Sequence, residues 1–177
     1  MRRPRTLLAV LAGLVVAVAA TLLVSGGSSA APTKSQALFK KTLLADDKTT
    51  SDVKGLLSES GGFVAPDITF EDLTGDGRSD AIVLVDSGGV AGAVALYVFS
   101  TDGEAAESDL RVIYRSQRLY RATGVVADAA LLLSSPRFVE GDDVCCPAKI
   151  VERTYVWSDA SKTLRQRSSR ELPGPTQ

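Results

Sequence analysis

Oxygen-bearing side chains recur at a regular spacing in the segment DLTGDGRSD, residues 72–80. Calcium loops wrap one ion with oxygen ligands at positions 1, 3, 5, 7 and 9, and a glycine at position 6 permits the sharp turn. Here the oxygen donors fall at those positions, the one at position 7 being a backbone carbonyl, and Gly77 stands at position 6. The predicted calcium ligands are Asp72, Thr74, Asp76, Arg78 and Asp80.

This loop differs from an EF-hand, because position 12 is Val83 instead of a bidentate glutamate and no helical pattern flanks it. It resembles the strand–loop–strand FG-GAP calcium loops of integrin-type propeller repeats, where the aspartate at position 9 closes the site. Those repeats come in several copies, whereas this chain has one. The alternative interpretation is a turn between two strands whose aspartates accept hydrogen bonds from the loop's own backbone.

Cys145 and Cys146 are adjacent and are followed by Pro147. Neighbouring Cα atoms lie about 3.8 Å apart, which is short for a disulfide, so a vicinal bridge is expected only as a strained ring. Such a bridge would make a redox-sensitive or ligand-contacting loop. The alternatives are a rigid turn before Pro147 without a redox role, and an intermolecular bridge, because the chain has no third cysteine.

Four arginines and two tyrosines are interleaved between Arg111 and Arg121. If this segment is a hairpin, these side chains form a surface that grips anionic polymers or phosphate groups. The simpler interpretation is the solvated face of a hairpin whose other face packs Val112, Leu119 and the tyrosines.

The first 30 residues predict export. Arg2, Arg3 and Arg5 precede an apolar run from 6 to 24, and the small residues Ser28 and Ala30 suit cleavage after position 30. The alternative is an uncleaved membrane anchor, since the run is nearly as long as the roughly 20 residues that span a bilayer. The segment has no lipobox cysteine. In either case residues 31–177 are expected outside the cytoplasm, secreted or held by the N-terminal segment.

Composition excludes several classes of function. Cleavage removes three arginines, so 17 basic against 21 acidic residues remain, a net charge of −4, which argues against a nucleic-acid binder. The chain has no histidine, which excludes Ser-His-Asp and Cys-His catalysis and His-ligated zinc. A secreted hydrolase that uses two carboxylates stays open as an alternative.

Periodicity predicts helices first and strands afterwards. Helical patterns cover 35–44 and 51–57, the second with Ser51 as its N-cap. Strand patterns cover 68–71, 81–85, 93–100, 110–114, 123–127, 130–134, 149–157 and 163–170, with turns at Asp102-Gly103, Asp128-Ala129 and 159–161. We therefore expect an α+β fold, with one or two N-terminal helices on a mostly antiparallel sheet of about six to eight strands. The predicted boundaries are a linker at 31–34, a single domain at 35–172 and a tail at 173–177.

Three segments together resemble the LppP/LprE family of actinobacterial envelope lipoproteins, over roughly residues 60–160. They are residues 72–83, residues 92–99, and residues 141–147 followed by the aromatic strand 153–157. The Cys-Cys-Pro turn ahead of the aromatic strand is the most specific of the three. The resemblance implies a secreted or lipid-anchored protein without an assigned activity, and the missing lipobox cysteine departs from it.

These observations predict a non-enzymatic module that is secreted or associated with the cell envelope and is ordered by a single calcium ion. Its partner is an unidentified envelope or extracellular molecule, not nucleic acid, and it meets the membrane only through residues 6–24 if they are uncleaved. The alternatives are the carboxylate hydrolase and a partner-binding or inhibitory domain that presents the Arg111–Arg121 segment.

Overall fold

A computed structural model describes residues 33–100, 110–143 and 145–174 of the chain. The predicted signal segment 1–30 and the predicted Asp102-Gly103 turn lie outside the described residues. The elements are α1 (Lys34–Ala45), α2 (Ser51–Ser58), β1 (Phe63–Val64), β2 (Thr69–Glu71), β3 (Asp80–Asp86), β4 (Ala93–Ser100), β5 (Arg111–Gln117), β6 (Thr123–Ala127), β7 (Ala130–Arg137), β8 (Lys149–Ser158) and β9 (Thr163–Pro173).

A capping box fixes the start of α1. The Thr33 hydroxyl accepts the Gln36 backbone N–H at 3.2 Å, and the Gln36 side-chain oxygen accepts the Thr33 N–H at 2.8 Å. Phe39 and Leu43, one turn apart, are fully buried and hold the helix on the sheet. The predicted helix is confirmed. However, Thr33 and Lys34 belong to it, so the predicted linker at 31–34 loses those two residues to the domain.

The N-cap of the second helix is one residue earlier than predicted. Ser51 is the first helical residue, and Thr50 takes the N-cap position without a side-chain capping bond. The Thr50 N–H instead donates to the Gln117 side-chain oxygen at 2.8 Å, which ties the helix start to β5. Val53 and Leu57 are buried, as the apolar face of the pattern requires.

All strand pairs in the described residues are antiparallel and form two sheets. Sheet A has the order β1-β3-β4-β5, with β2 also paired to β3, and sheet B has the order β6-β7-β8-β9. The α+β class with N-terminal helices is therefore confirmed. Among the described residues the strands number nine and divide into two sheets, because the chain leaves sheet A after β5 through Arg118 and Arg121, whose φ angles of 63° and 45° redirect the backbone.

Sheet A is the middle layer of three. Successive side chains of a strand point to opposite faces, and both faces of β3 and β4 are covered. Val83, Tyr97 and Phe99 pack against the helices, where the Phe39 and Phe99 ring centroids lie 4.8 Å apart. Leu96 on the opposite face packs against sheet B. The prediction that both faces of 93–100 are buried is thus confirmed.

Sheet B packs on sheet A through Leu131, Leu133 and Leu164. The start of β9 is also tied to β5, because the Thr163 hydroxyl donates to the Ile113 carbonyl at 2.5 Å. Ile113 lies at a register shift of the β4–β5 pair. This shift lets both Ile113 and its neighbour Tyr114 face the apolar core between sheets A and B. The sandwich consequently has two ends, one at the β2–β3 loop and the β8–β9 turn, the other at the β3–β4 turn and the loop 138–148.

The last boundary lies close to its predicted position. β9 continues through Pro173, and the Gly174 N–H donates to the Ala148 carbonyl at 2.8 Å, so the predicted tail at 173–177 begins with residues that still belong to the fold. Within the described residues neither helix has the length and apolar character needed to cross a membrane.

Candidate functional site

The Asp72–Asp80 loop joins β2 to β3 at one end of the sandwich. The pairing of Glu71 with Asp80 brings its two ends together. Gly75 and Gly77 have φ angles of 75° and 81°, a left-handed conformation that residues with a Cβ adopt only at a cost. The sequence therefore makes a tight loop between two strands, as predicted.

Two aspartates close this loop by accepting backbone N–H groups. The Asp72 carboxylate accepts from Gly75 at 2.7 Å and from Gly77 at 2.8 Å. The Asp80 carboxylate, whose residue is 1% exposed, accepts from Leu73 at 2.9 Å and from Thr74 at 3.0 Å. This is the geometry of the self-hydrogen-bonded turn that the sequence left open as the alternative to a metal site.

The remaining aspartate of the loop turns toward a cation of the chain itself. Asp76 accepts the Arg78 backbone N–H at 2.9 Å and the Arg78 guanidinium at 3.0 Å. The backbone N–H of Arg78, followed by its side chain, lowers the pKa of Asp76, whereas burial raises the pKa of Asp80. Their surroundings therefore shift the pKa values of Asp76 and Asp80 in opposite directions, although the two residues are only four positions apart.

The fit of this loop to calcium is partial. The Thr74 hydroxyl donates to Asp72 at 3.4 Å, and the Thr74 backbone N–H donates to Asp80 at 3.0 Å. Two of the three carboxylates, those of Asp72 and Asp80, therefore turn toward Thr74, and Asp76 turns toward Arg78. Yet no set of three or more acidic, cysteine or histidine side chains that could hold a metal ion forms among the described residues. A calcium ion would require Asp76 to turn away from Arg78.

A cleft of about 520 Å³ opens beside the loop, at the same end of the sandwich. It lies where β4 ends and β5 begins, against the turn between β8 and β9. We call it the end cleft; its lining residues are Thr74, Asp76, Arg78, Ser100, Arg111, Trp157, Asp159 and Lys162. It combines one aromatic ring with charged groups of both signs.

The β8–β9 turn supplies the part of the cleft that the sequence did not predict. The Trp157 indole N–H donates to the Asp159 carboxylate at 3.1 Å, and the Lys162 ammonium binds the same oxygen at 3.0 Å. These bonds lower the pKa of Asp159, the bond from Lys162 contributing most. The sequence marked 159–161 only as a turn. Trp157 lies about eighty positions from the Asp72–Asp80 loop, so local spacing could not join the two.

The carboxyl groups of the end cleft do not have the pair of pKa values that a two-carboxylate hydrolase requires. A glycosidase pairs one carboxyl of raised pKa, the general acid, with one ionised carboxylate. Asp76 and Asp159, which line the cleft, both have lowered pKa values, Asp76 first through the Arg78 backbone N–H and then its side chain, and Asp159 first through Lys162. Asp80 has a raised pKa, but it is buried and its oxygen is bound to backbone amides. The cleft is therefore suited to binding polar groups more than to general acid catalysis.

Cys145 and Cys146 form a vicinal disulfide with a Cα–Cα distance of 3.8 Å. They lie in the loop 138–148 between β7 and β8, at the other end of the sandwich. Asp142 closes that loop by accepting the Val139 N–H at 2.9 Å and the Ala148 N–H at 2.8 Å. Cys145 is exposed, whereas Pro147 is buried. The bridge thus spans the exposed part of a loop that a carboxylate holds in place.

The Arg111–Arg121 segment is not a hairpin, contrary to the prediction. Its first part is β5, a single strand at the edge of sheet A, and its last residues lead to sheet B. The arginines accordingly have separate surroundings. Arg115 pairs with Asp46 at 3.0 Å on the helix side, and the Arg121 Nε donates to the Val90 carbonyl at 2.9 Å. A hairpin would have aligned them on one surface, whereas the single strand distributes them over two faces and two ends.

Comparison of the chain with protein-family models, with curated proteins and with solved structures gave no match. The resemblance to the LppP/LprE family therefore stays a prediction that rests on the three segments named above.

Proposed function

We propose that this protein is a non-enzymatic binding module of the cell envelope, exported by its N-terminal segment, and that its ligand binds in the end cleft. The observation that carries the proposal is the composition of that cleft. An aromatic ring, Trp157, stands beside three cations, of which Arg78 and Lys162 are already paired with carboxylates. Arg111 lines the same cleft and is exposed.

Such a lining is suited to an anionic glycan. The flat face of an indole packs on the apolar face of a sugar ring, and guanidinium groups bind carboxylates through paired hydrogen bonds. Asp76 and Asp159 offer acceptors for sugar hydroxyls because both stay ionised near neutral pH. We therefore infer that the ligand is an acidic polysaccharide of the envelope, bound without being cleaved.

The chain contains one tryptophan, so its fluorescence reports on the cleft alone. We expect soluble fragments of an acidic cell-wall glycan to change the Trp157 emission of the full chain in a saturable titration. Arg111→Gln should weaken this response at least several-fold, because it removes a charge-assisted contact. Arg118→Gln is the matched control, since Arg118 belongs to the same arginine run but does not line the cleft.

The same mixture distinguishes binding from catalysis. Mass spectra of the glycan after prolonged incubation should show no shortened product. An unchanged Trp157 spectrum with every acidic glycan fragment, or product formation that Asp159→Asn abolishes, would overturn the proposal. Export has its own readout: secretion of a chain whose N-terminus is Ala31 would support cleavage, and retention in the cytoplasm would refute this location.

We also propose that calcium orders the Asp72–Asp80 loop when the ion is available outside the cell. The supporting observation is that the Asp72 and Asp80 carboxylates both turn into the loop beside Thr74, which donates to Asp72 through its hydroxyl and to Asp80 through its backbone N–H. Calcium at 100 times its Kd would stabilise the fold by about 2.7 kcal/mol. That corresponds to a rise in Tm of roughly 5–10 °C for a domain of this size.

The test is a thermal melt of the full chain in millimolar calcium and in chelator. Asp76→Ala should abolish the shift, because Asp76 is the carboxylate that must turn from Arg78 to the ion. Asp159→Ala is the control, since it removes an aspartate of the same cleft from outside the loop. Equal melting temperatures in the two buffers would show that the loop is closed by its own hydrogen bonds alone.

A further inference from the structure

A second depression, of about 400 Å³, lies on sheet B near the loop 138–148. The strand register shows which side chains lie together in this depression, because residues directly opposite each other in an antiparallel pair point to the same face of the sheet. Leu133, Arg153 and Ser169 form one row across β7, β8 and β9, and Ser135, Val151 and Glu171 form the next. Leu133 packs on sheet A, so the depression continues the inner face of sheet B past the apolar core.

The charges on this face do not balance. Glu171 binds two cations at once, Lys149 at 2.8 Å and Arg137. Lys149 and Arg137 are directly opposite each other in the row beyond Glu171. Three cations, with Arg153 included, against one carboxylate leave two positive charges on the face. A phosphate monoester carries between about one and a half and two negative charges at pH 7, which matches that excess.

Arg153 is the unpaired member of this group. It is half-buried and lines the depression. Within the described parts of the chain, no carboxylate lies within ion-pair distance of Arg153 and its guanidinium forms no hydrogen bond. A guanidinium has five N–H donors in a planar fork that fits phosphate oxygens. Partial burial removes part of its water, so a bound anion would restore hydrogen bonds that solvent supplies only incompletely.

The tyrosines near Arg153 do not supply a competing anion. Tyr114 and Tyr155, which pack on the apolar core next to Arg153 and do not line the depression, have ring centroids 4.9 Å apart. Burial first, and then the hydrogen bond with Tyr155, raises the pKa of Tyr114, so this phenol stays neutral at physiological pH even though Arg153 acts on it in the opposite direction. The hydroxyls of Ser135 and Ser169 line the same depression and add neutral donors.

We infer that this depression is a binding site for a phosphate group, with Arg153 as its principal ligand and Arg137, Ser135 and Ser169 as further donors. The site lies away from the end cleft and requires neither calcium nor export, so it stands apart from the function proposed above. Glu171 holds Arg137 and Lys149 in place and at the same time limits the affinity, because it competes with the phosphate for both cations.

The test is an isothermal titration of the full chain with inorganic phosphate at low ionic strength. Arg153→Gln should weaken binding about tenfold or more, since it removes a charge-assisted contact. Arg153→Lys should restore only part of the affinity, because an ammonium lacks the planar fork. Arg167→Gln is the matched control: Arg167 is exposed on β9 of the same sheet and does not line the depression. It should change affinity less than twofold.

Glu171→Gln gives a change of the opposite sign. It removes the competing carboxylate, so phosphate should bind several-fold more tightly. The inference fails if phosphate does not bind at millimolar concentration, if Arg167→Gln weakens binding as much as Arg153→Gln, or if Glu171→Gln lowers the affinity while its thermal melt is unchanged. Thermal melts of all variants ensure that a loss of affinity is not a loss of fold.

A second titration, with glycerol 3-phosphate, distinguishes a free phosphate ion from a phosphorylated molecule. Equal affinity for the two would identify the ion itself as the ligand, and tighter binding of the ester would show that the depression also contacts the group that carries the phosphate. Both results require Arg153. The Trp157 response to cell-wall glycan should be the same in Arg153→Gln as in the natural chain, so the two sites can succeed or fail separately.

Discussion

Asp80 and Asp142 close loops at opposite ends of the sandwich in the same way, yet their surroundings shift their acidity in opposite directions. Each carboxylate accepts two backbone N–H groups, from Leu73 and Thr74 in one loop and from Val139 and Ala148 in the other. Burial raises the pKa of Asp80, whereas the bonds from Ala148 and Val139 lower the pKa of Asp142, which is only partly buried.

The comparison separates two effects that usually occur together. A hydrogen bond to the ionised form favours the charge, and removal of water disfavours it. At Asp142 the first effect is stronger because water still reaches the carboxylate. At Asp80, which is 1% exposed, the loss of water is stronger. The number of hydrogen bonds alone therefore does not determine whether a loop aspartate stays charged.

The largest expected effect is that of Asp80→Ala. It leaves the Leu73 and Thr74 amides without an acceptor, and each unsatisfied buried donor costs about 1–3 kcal/mol, so we expect a loss of about 2–6 kcal/mol. Asp80→Asn should cost much less, because an amide oxygen accepts both bonds and carries no charge to desolvate. Urea unfolding of both variants measures the difference. Equal losses would mean that the charge, and not the acceptor, stabilises the loop.

The next effect concerns the glycines of the two loops. Gly77 and Gly141 have φ angles of 81° and 93°, and a Cβ at either position would meet no atom within 4 Å. An alanine therefore pays only for the left-handed backbone, about 1–2 kcal/mol. Gly55→Ala is the control, because Gly55 lies inside α2, where alanine should stabilise the fold by about 0.5–1 kcal/mol. An unchanged or increased stability of Gly77→Ala would contradict the described loop conformation.

Asp142→Ala should have a smaller effect on global stability than Asp80→Ala, because water can replace the lost acceptor at a site that is only partly buried. Its effect should be local. We expect faster amide exchange at Val139 and Ala148, with little change at Leu73 and Thr74. Reduction of the Cys145–Cys146 bridge by a mild thiol should also become faster as the loop opens. An unchanged exchange rate at Ala148 would mean that the disulfide and Pro147 hold the loop without Asp142.

The smallest effect is the opposite pH dependence of the two aspartates. The folded pKa of Asp80 lies above its ordinary value of 3.8, so as pH falls from 7 the natural chain takes up this proton first in the folded state and gains stability relative to Asp80→Asn. The folded pKa of Asp142 lies below 3.8, so the natural chain loses stability relative to Asp142→Asn as pH falls below about that value. Urea unfolding between pH 7 and 3 should show slopes of opposite sign.

Local pattern was sufficient to predict most elements of this fold. Alternation over 93–100 and 123–127 predicts β4 and β6 with the bounds that the structure has, and the turn at Asp128-Ala129 is confirmed, with φ angles of 51° and 55°. β1 was missed because two residues are too short for a period. The division into two sheets was missed because it depends on the left-handed backbone at Arg118 and Arg121, which side chains with a Cβ seldom adopt.

The candidate site was predictable only in part. Spacing identified the residues of the Asp72–Asp80 loop but could not say whether their oxygens meet a cation or backbone amides, since both uses require the same residue types. The opposite side of the end cleft comes from Trp157, Asp159 and Lys162, which pair with each other across a turn. The position of this turn beside the Asp72–Asp80 loop depends on how sheet B packs on sheet A, and no local pattern encodes the packing of distant strands.

Strand β4 also bears on how the protein unfolds. Tyr97 and Phe99 belong to the core under the helices, while Leu96 and Val98 belong to the core between the sheets. One backbone segment therefore connects the two cores, and neither can open without exposing residues that border the other. We expect the helices and both sheets to melt in a single cooperative transition, and substitutions at Leu96 and Tyr97 to show coupled, non-additive changes in stability.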